Sequence, residues 1–130
     1  MSSKKKYSRK REAILNAFKS TDIHPTAEWV YKELKPIYPD LSMGTVYRNI
    51  LEFKKNDQLF TVCVLDGKER LDANTKPHAH FICDKCNCVL DLPQLQYNNS
   101  LNDFVSTKYD VKVEYQSIIF HGICGKCLKN

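Results

Sequence analysis

The sequence predicts an α+β chain of two small domains. Three observations carry this: amphipathic helical segments across residues 8–55, a hairpin signal at Asp66-Gly67, and two Cys-x-x-Cys pairs, Cys83/Cys86 and Cys124/Cys127. With 130 residues, 42% of them hydrophobic, the chain can fill one ordinary domain or two small ones that share stability with a metal and a partner chain. The second arrangement is expected, with domains at 1–75 and 76–130.

The first helix is expected from a Ser8 cap to about Ser20, with Ile14, Ala17 and Phe18 on its inner face and Arg11 pointing outward. After His24-Pro25, Thr26 caps a second helix in which Ala27, Val30, Tyr31 and Leu34 fall at i, i+3, i+4 and i+7 before Pro36 ends it. Ser42 caps a third, to about Lys55. Its Met43, Val46, Ile50 and Phe53 face inward, while Gly44, Thr45 and Arg48 face out near its start. Two extended runs follow, Leu59 to Leu65 and Lys68 to Asp72, and Asp66-Gly67 between them suits the positive φ values of a two-residue turn. Three helices in helix-turn-helix order followed by a hairpin make a winged helix. Residues 73–77 read as a linker, since polar turn-formers and a proline interrupt both periodicities.

Beyond the linker, His80 to Cys83 and Val89 to Leu92 read as short strands, Leu95 to Ser106 as a helix, and Val111 to His121 as a long β-forming run. So small an α/β unit buries little by itself, and both a metal and an exposed strand edge paired with a second copy would support it. A homodimer is expected.

Two residues between thiolates let both sulfurs face one tetrahedral ion, and two such pairs make one closed zinc site on Cys83, Cys86, Cys124 and Cys127, one ion per subunit. The rival reading is two disulfides. The charged opening of the chain has no apolar stretch of a secretory kind, so a reducing cytoplasm is expected, where such pairs hold metal. Cys88 stands two residues beyond Cys86 and could compete as a ligand, but its spacing fits less well. Cys63, alone in an apolar run, is expected to be a small core residue.

Twenty Lys and Arg against fifteen Asp and Glu leave a net charge of +5, and the excess crowds into the first eleven residues. A basic arm leading into a helix-turn-helix points to double-stranded DNA. No run of apolar residues is long enough for a membrane span. A nucleophile-base pair and a phosphate loop are both absent, so no enzyme is expected; a metalloenzyme and a metal buffer without DNA binding are the rival classes.

In order along the chain stand Arg11, His24-Pro-Thr-Ala27, Thr45-Val-Tyr-Arg-Asn49, Arg70 before an acidic region, His78-x-His80-x-x-Cys83-x-x-Cys86 with Asp91 after it, and Gly122-x-Cys124-x-x-Cys127. On this ordered set the chain resembles the ferric uptake regulator (Fur) superfamily, over nearly its whole length. The resemblance implies a winged-helix DNA reader, a C-terminal dimerisation domain, structural zinc on the four cysteines, and a separate regulatory metal near the hinge. It also implies DNA contacts from Arg11, Thr45, Tyr47, Arg48, Asn49 and Arg70, with Tyr47 and Arg48 foremost on the third helix and Arg70 on the wing. The partner would be a palindromic operator read by a homodimer.

The regulatory ligands implied are His24, Asp72, His78, His80 and Asp91, a three-histidine, two-aspartate set similar to that of the peroxide-sensing (PerR) branch. Imidazole with carboxylate suits Fe(II), Mn(II) or Zn(II) and not the sulfur-rich sites that favour Cu(I); the resemblance implies Fe(II) or Mn(II). Aspartate at Asp91 resembles the peroxide sensors, where iron sensors more often carry glutamate. Pro77, Ala79 and Gln116 stand where many iron-sensing relatives place further ligands, and residues 73–77 offer none of the cysteine that a zinc-uptake regulator would present. The resemblance therefore implies a metal-dependent repressor in which Fe(II)-catalysed oxidation of His24 or His78 releases the operator. An iron-responsive or other metal-uptake repressor is the alternative.

Overall fold

The computed structural model describes residues 2–76, 78–93 and 99–130, and it divides into two compact units, Met1–Thr75 and Lys76–Asn130. The first unit carries helices α1 (Ser2–Lys19), α2 (Ala27–Leu34) and α3 (Met43–Lys55), then strands β1 (Phe60–Leu65) and β2 (Lys68–Asp72). The second carries β3 (Ala79–Cys83), β4 (Val89–Leu92), α4 (Asn99–Tyr109), β5 (Ile119–Gly122) and a single turn, α5 (Gly125–Leu128).

Two of the three helix starts are fixed by the caps that the sequence shows. The Thr26 side chain accepts from the Trp29 amide at 3.1 Å, and Ser42 from the Thr45 amide at 3.1 Å, each satisfying a donor that the first helical turn leaves open. The first helix differs: it begins at Ser2, so Ser8 lies inside it and not at its start. Lys and Arg are good helix formers and no Gly or Pro interrupts residues 2–7, so nothing in that stretch stops the helix.

The three apolar stripes meet in one core, where Ile14, Phe18, Val30, Leu34, Val46, Ile50 and Phe53 pack with Leu41, Leu59 and Leu71. Met43 and Tyr31, expected inside, are partly buried against it. The wing is a two-stranded antiparallel sheet in which Leu65 pairs with Lys68 across Asp66-Gly67, whose φ values of 53° and 76° are those of a primed hairpin turn. A register shift between Thr61 and Cys63 interrupts the ladder, and Cys63 is half-buried at that irregularity, not a full core residue. Burial pushes its thiol up.

In the second unit β3 lies in the middle of a three-stranded sheet, antiparallel to β4 and parallel to β5. Burial covers Ala79, His80, Ile82 and Cys83 of β3, with His78 just before it and Val89 of β4 beside it. The long β run expected over residues 111–121 shrinks to Ile119–Gly122. Residues 111–118 form no strand: Val111 and Val113 turn their amides to Ser106 of α4, at 3.1 Å each. β propensity without a neighbouring strand leaves the ladder unmade. The helix expected to end at Ser106 continues to Tyr109; its expected start at Leu95, like Pro77 of the linker, lies outside the described residues. Among the described residues no helix is long and apolar enough to cross a membrane.

Candidate metal centres and nucleic-acid interface

The β3–β4 turn builds the sulfur cluster. Asn87 adopts a left-handed conformation, φ 62°, and donates to the Cys83 carbonyl at 2.9 Å, while the Cys83 amide donates to the Cys88 carbonyl at 3.0 Å. The chain thereby doubles back on itself, and the start of α5 comes in from the parallel strand, with Cys124 just before its first residue at the N-cap position. The sulfurs of Cys83, Cys86, Cys88 and Cys124 all lie within 4.8 Å of one another. Cys86 and Cys124 sulfurs are 3.7 Å apart. Four sulfurs at ~2.3 Å from a tetrahedral zinc would be separated by ~3.8 Å, so the cluster has the dimensions of a zinc-thiolate site.

Cys83 is fully buried, and its sulfur accepts from the Cys124 amide at 3.3 Å and the Cys86 amide at 3.4 Å. Those amide bonds stabilise the thiolate and bring Cys83 down to about 6, while Cys124 is lowered by the Cys127 amide. Cys127 makes thiol contacts with Cys124, Cys86 and Cys83, the first of which does most to push it up to about 12. Cys88 is likewise pushed up to about 12, chiefly by burial and then by the Cys86 and Cys124 sulfurs. Of the expected ligands, Cys83, Cys86 and Cys124 come together, and the fourth sulfur within 4.8 Å of them is that of Cys88 where Cys127 was expected. What the spacing set aside is Cys88, which the left-handed turn at Asn87 swings into the cluster; its Cys-x-Cys relation to Cys86 was the only hint.

A second chemistry stands in two parts, one in each unit. In the first, buried His24 points Nε2 at the Asp72 carboxylate, 3.2 Å away, from a left-handed backbone of φ 56°. Arg70 holds that conformation by donating Nε to the His24 carbonyl and Nη2 to the Ile23 carbonyl at 2.6 Å, and the Leu71 amide bonds the Pro25 carbonyl at 3.1 Å. In the second, His78 and His80 lie on the same side of the extended segment, their rings 4.4 Å apart, and both turn Nε2 to one oxygen of Asp91, at 2.9 and 3.2 Å. His78 Nδ1 lies 2.6 Å from the Lys76 carbonyl, which can only accept, so Nδ1 carries the proton of that ring. In the neutral ring, Nε2 then sets a lone pair against the Asp91 oxygen. A cation, either a proton or a metal ion, must stand between them. The backbone bond behind the imidazole is also the arrangement that orients a metal-bound histidine.

Of the residues expected at DNA, Tyr47 and Arg48 are exposed on α3, and Arg48 donates to Thr45 Oγ1 at 3.2 Å. The Tyr47 hydroxyl donates to Glu28 at 3.2 Å; burial and that carboxylate raise its pKa. Asn49 differs from expectation: it is 1% exposed, and its side chain donates to the Thr45 carbonyl at 2.8 Å, four residues back inside α3. Arg70 spends its guanidinium on the His24 loop, and Arg11 pairs with Glu52 while lying over the Phe53 ring, 5.2 Å from its centroid. Asn49, Arg70 and Arg11 thus make contacts within the unit, while on the start of α3 Tyr47 and Arg48 are exposed and Thr45 is half-buried.

A sequence profile of the "Ferric uptake regulator family" matches residues 2–121. The chain belongs to that family. Among relatives of known role, the "Peroxide-responsive repressor PerR" of Staphylococcus epidermidis is 34% identical over 119 residues, covering 90% of this chain and 77% of that protein. The Staphylococcus aureus (strain USA300) repressor of the same name is 33% identical over 119 residues, with 90% and 78% coverage. The peroxide stress regulator of Campylobacter jejuni superposes with a TM-score of 0.77 at 27% identity, covering 94% of this chain and 91% of that one. The ferric uptake regulator of Helicobacter pylori shares the fold at the same TM-score of 0.77 and 20% identity, covering 94% and 81%. This Fur-family chain is thus a metal-responsive transcriptional regulator related to peroxide-responsive repressors, and not an enzyme. Its architecture is a winged helix followed by a small α/β domain.

Proposed function

We propose that the chain is a homodimeric, cytoplasmic repressor of a palindromic operator, with one structural zinc per subunit on the cysteine cluster and a regulatory Fe(II) or Mn(II) on His24, Asp72, His78, His80 and Asp91. Peroxide sensing through that regulatory site is its signal. The observation that carries the reading is the pair of imidazole-carboxylate sets: each offers few donors by itself, and His78 and His80 both turn Nε2 to one Asp91 oxygen, as ligands of one ion would. The 33–34% identity to repressors named as peroxide-responsive supports the signal. Nitrogen and carboxylate oxygen suit divalent iron and manganese.

The chain's own residues would then act as follows. His24 and Asp72 stand before residues 73–77, and His78, His80 and Asp91 after them, so a shared ion is bound only by the conformation in which both sets meet. Binding selects that conformation and with it one spacing of the two α3 helices on DNA. Thr45, Tyr47 and Arg48 would contact bases and phosphates, with the basic residues of α1 beside them. Fe(II) held there would supply the electrons for peroxide reduction, with the ligand imidazoles as the nearest oxidisable groups. His24 and His78 are the ligands whose loss would open the site. In the second unit α4 buries no residue and Leu101, Phe104 and Phe120 are exposed, apolar side chains that a second copy would cover.

The test is operator binding by Fe(II)- and Mn(II)-loaded protein, with and without peroxide, beside mass spectrometry of the peptides holding His24 and His78. The iron form should release DNA with one added oxygen on either histidine, and the manganese form should stay bound. Release with oxidation confined to the cysteines, or no release, would favour an iron-responsive or thiol-based repressor instead.

A further inference from the structure

Five thiols crowd a space in which one tetrahedral ion accepts four. Cys83, Cys86 and Cys124 group with Cys88 and are also the thiols that Cys127 contacts, so two sulfurs compete for the last position: Cys127 on the single turn α5, none of whose residues is buried, and Cys88 at the end of the β3–β4 turn. The sequence spacing favours Cys127, yet it is the Cys88 sulfur that lies within 4.8 Å of the other three. Its position does not depend on a side-chain rotation alone. The backbone around it is pinned by the bond between the Cys83 amide and the Cys88 carbonyl, by the left-handed Asn87, and by the start of β4 at Val89.

We propose that Cys88 is a reserve ligand of the zinc cluster, exchanging with Cys127 so that the ion stays on the β3–β4 turn and β5 while α5 is released. The inference rests on the zinc reading above. The exchange is a ligand substitution with no change of oxidation state: the Cys88 thiol gives its proton to solvent as its sulfur binds, and the Cys127 thiolate takes one up as it leaves. The ion keeps four sulfurs throughout, and a zinc site ordinarily closed by the chain's last turn becomes a latch for that turn.

Two measurements test this. The first is Co(II) substitution in the parent, Cys127→Ser, Cys88→Ser and the double variant, because the thiolate-to-cobalt charge-transfer band grows with the number of bound sulfurs. Cys127→Ser should keep the parent's band intensity, and adding Cys88→Ser should lower it and release metal to a chelator at least about tenfold faster. A Cys127→Ser band as weak as that of the double variant would overturn the proposal. The second uses the zinc-loaded parent and does not depend on any variant folding: brief alkylation followed by peptide mass spectrometry, with Cys63 of the wing scored separately. Single labels divided between Cys88 and Cys127, never both on one molecule, support exchange, whereas labels confined to either one overturn it. A parent with no charge-transfer band at all would instead overturn the zinc reading itself.

Discussion

Replacing Cys83 by serine should unfold the second unit and leave the first intact. Cys83 is fully buried at the end of the central strand, belongs to the sulfur cluster, and is the thiolate that two backbone amides stabilise. Among the described residues, the aliphatic side chains larger than alanine that this unit buries are Ile82 and Val89. At ~1.5–3 kcal/mol for each, they supply about 3–6 kcal/mol. A structural zinc site contributes ~10–16 kcal/mol in small modules, so the metal outweighs the core that surrounds it. A serine oxygen is a poor zinc ligand and also takes the sulfur from the Cys124 and Cys86 amides. Hydrogen exchange read by mass spectrometry separates the two units. Peptides spanning β3 and β5 should lose protection by about a thousandfold or more, since each ~1.4 kcal/mol is tenfold, while peptides of α1 to α3 keep theirs. Protection of β3 unchanged in zinc-free Cys83→Ser protein would refute the reasoning, because the sheet would then be stable without its ion.

Arg48→Ala should cost ~1–3 kcal/mol in operator affinity and narrow the gap between specific and random duplexes, whereas neutralising Lys4 to Lys6 should weaken all duplexes alike and flatten the salt slope; titration at several salt concentrations checks both. Phe53→Ala, at a side chain 1% exposed beneath Arg11, should lower the stability of the first unit by ~3–5 kcal/mol, read from thermal or urea unfolding. Thr26→Ala removes the acceptor of the Trp29 amide and should cost ~1 kcal/mol by the same measurement, with Thr26→Ser recovering most of it. Asp91→Glu should bind regulatory metal but resist peroxide, which the DNA-release assay reports; sensitivity equal to the parent would remove Asp91 as the residue that sets the signal.

Local chemistry was legible in the sequence because it needs only neighbours along the chain. Thr26 and Ser42 cap their helices, Asp66-Gly67 turns the hairpin, and the apolar stripes at i, i+3 and i+4 become the core, each through contacts a few residues apart or through a fixed period. The pairing of imidazoles with Asp91 followed in part from the same source, since His78 and His80 alternate on one extended segment. Tertiary structure decided what depends on partners distant in the chain. Asn49, which the resemblance implies as a DNA contact, is buried in α3, where its amide donates to the Thr45 carbonyl. Arg70 reads as a wing residue aimed at DNA, yet the carbonyls of Ile23 and His24, presented by a left-handed loop, capture its guanidinium. Among the described residues, the β-forming residues 111–118 form no ladder. Cys88, set aside by its spacing, enters the sulfur cluster because a single left-handed residue, Asn87, reverses the chain there, and no periodicity or spacing rule records the sign of one φ angle.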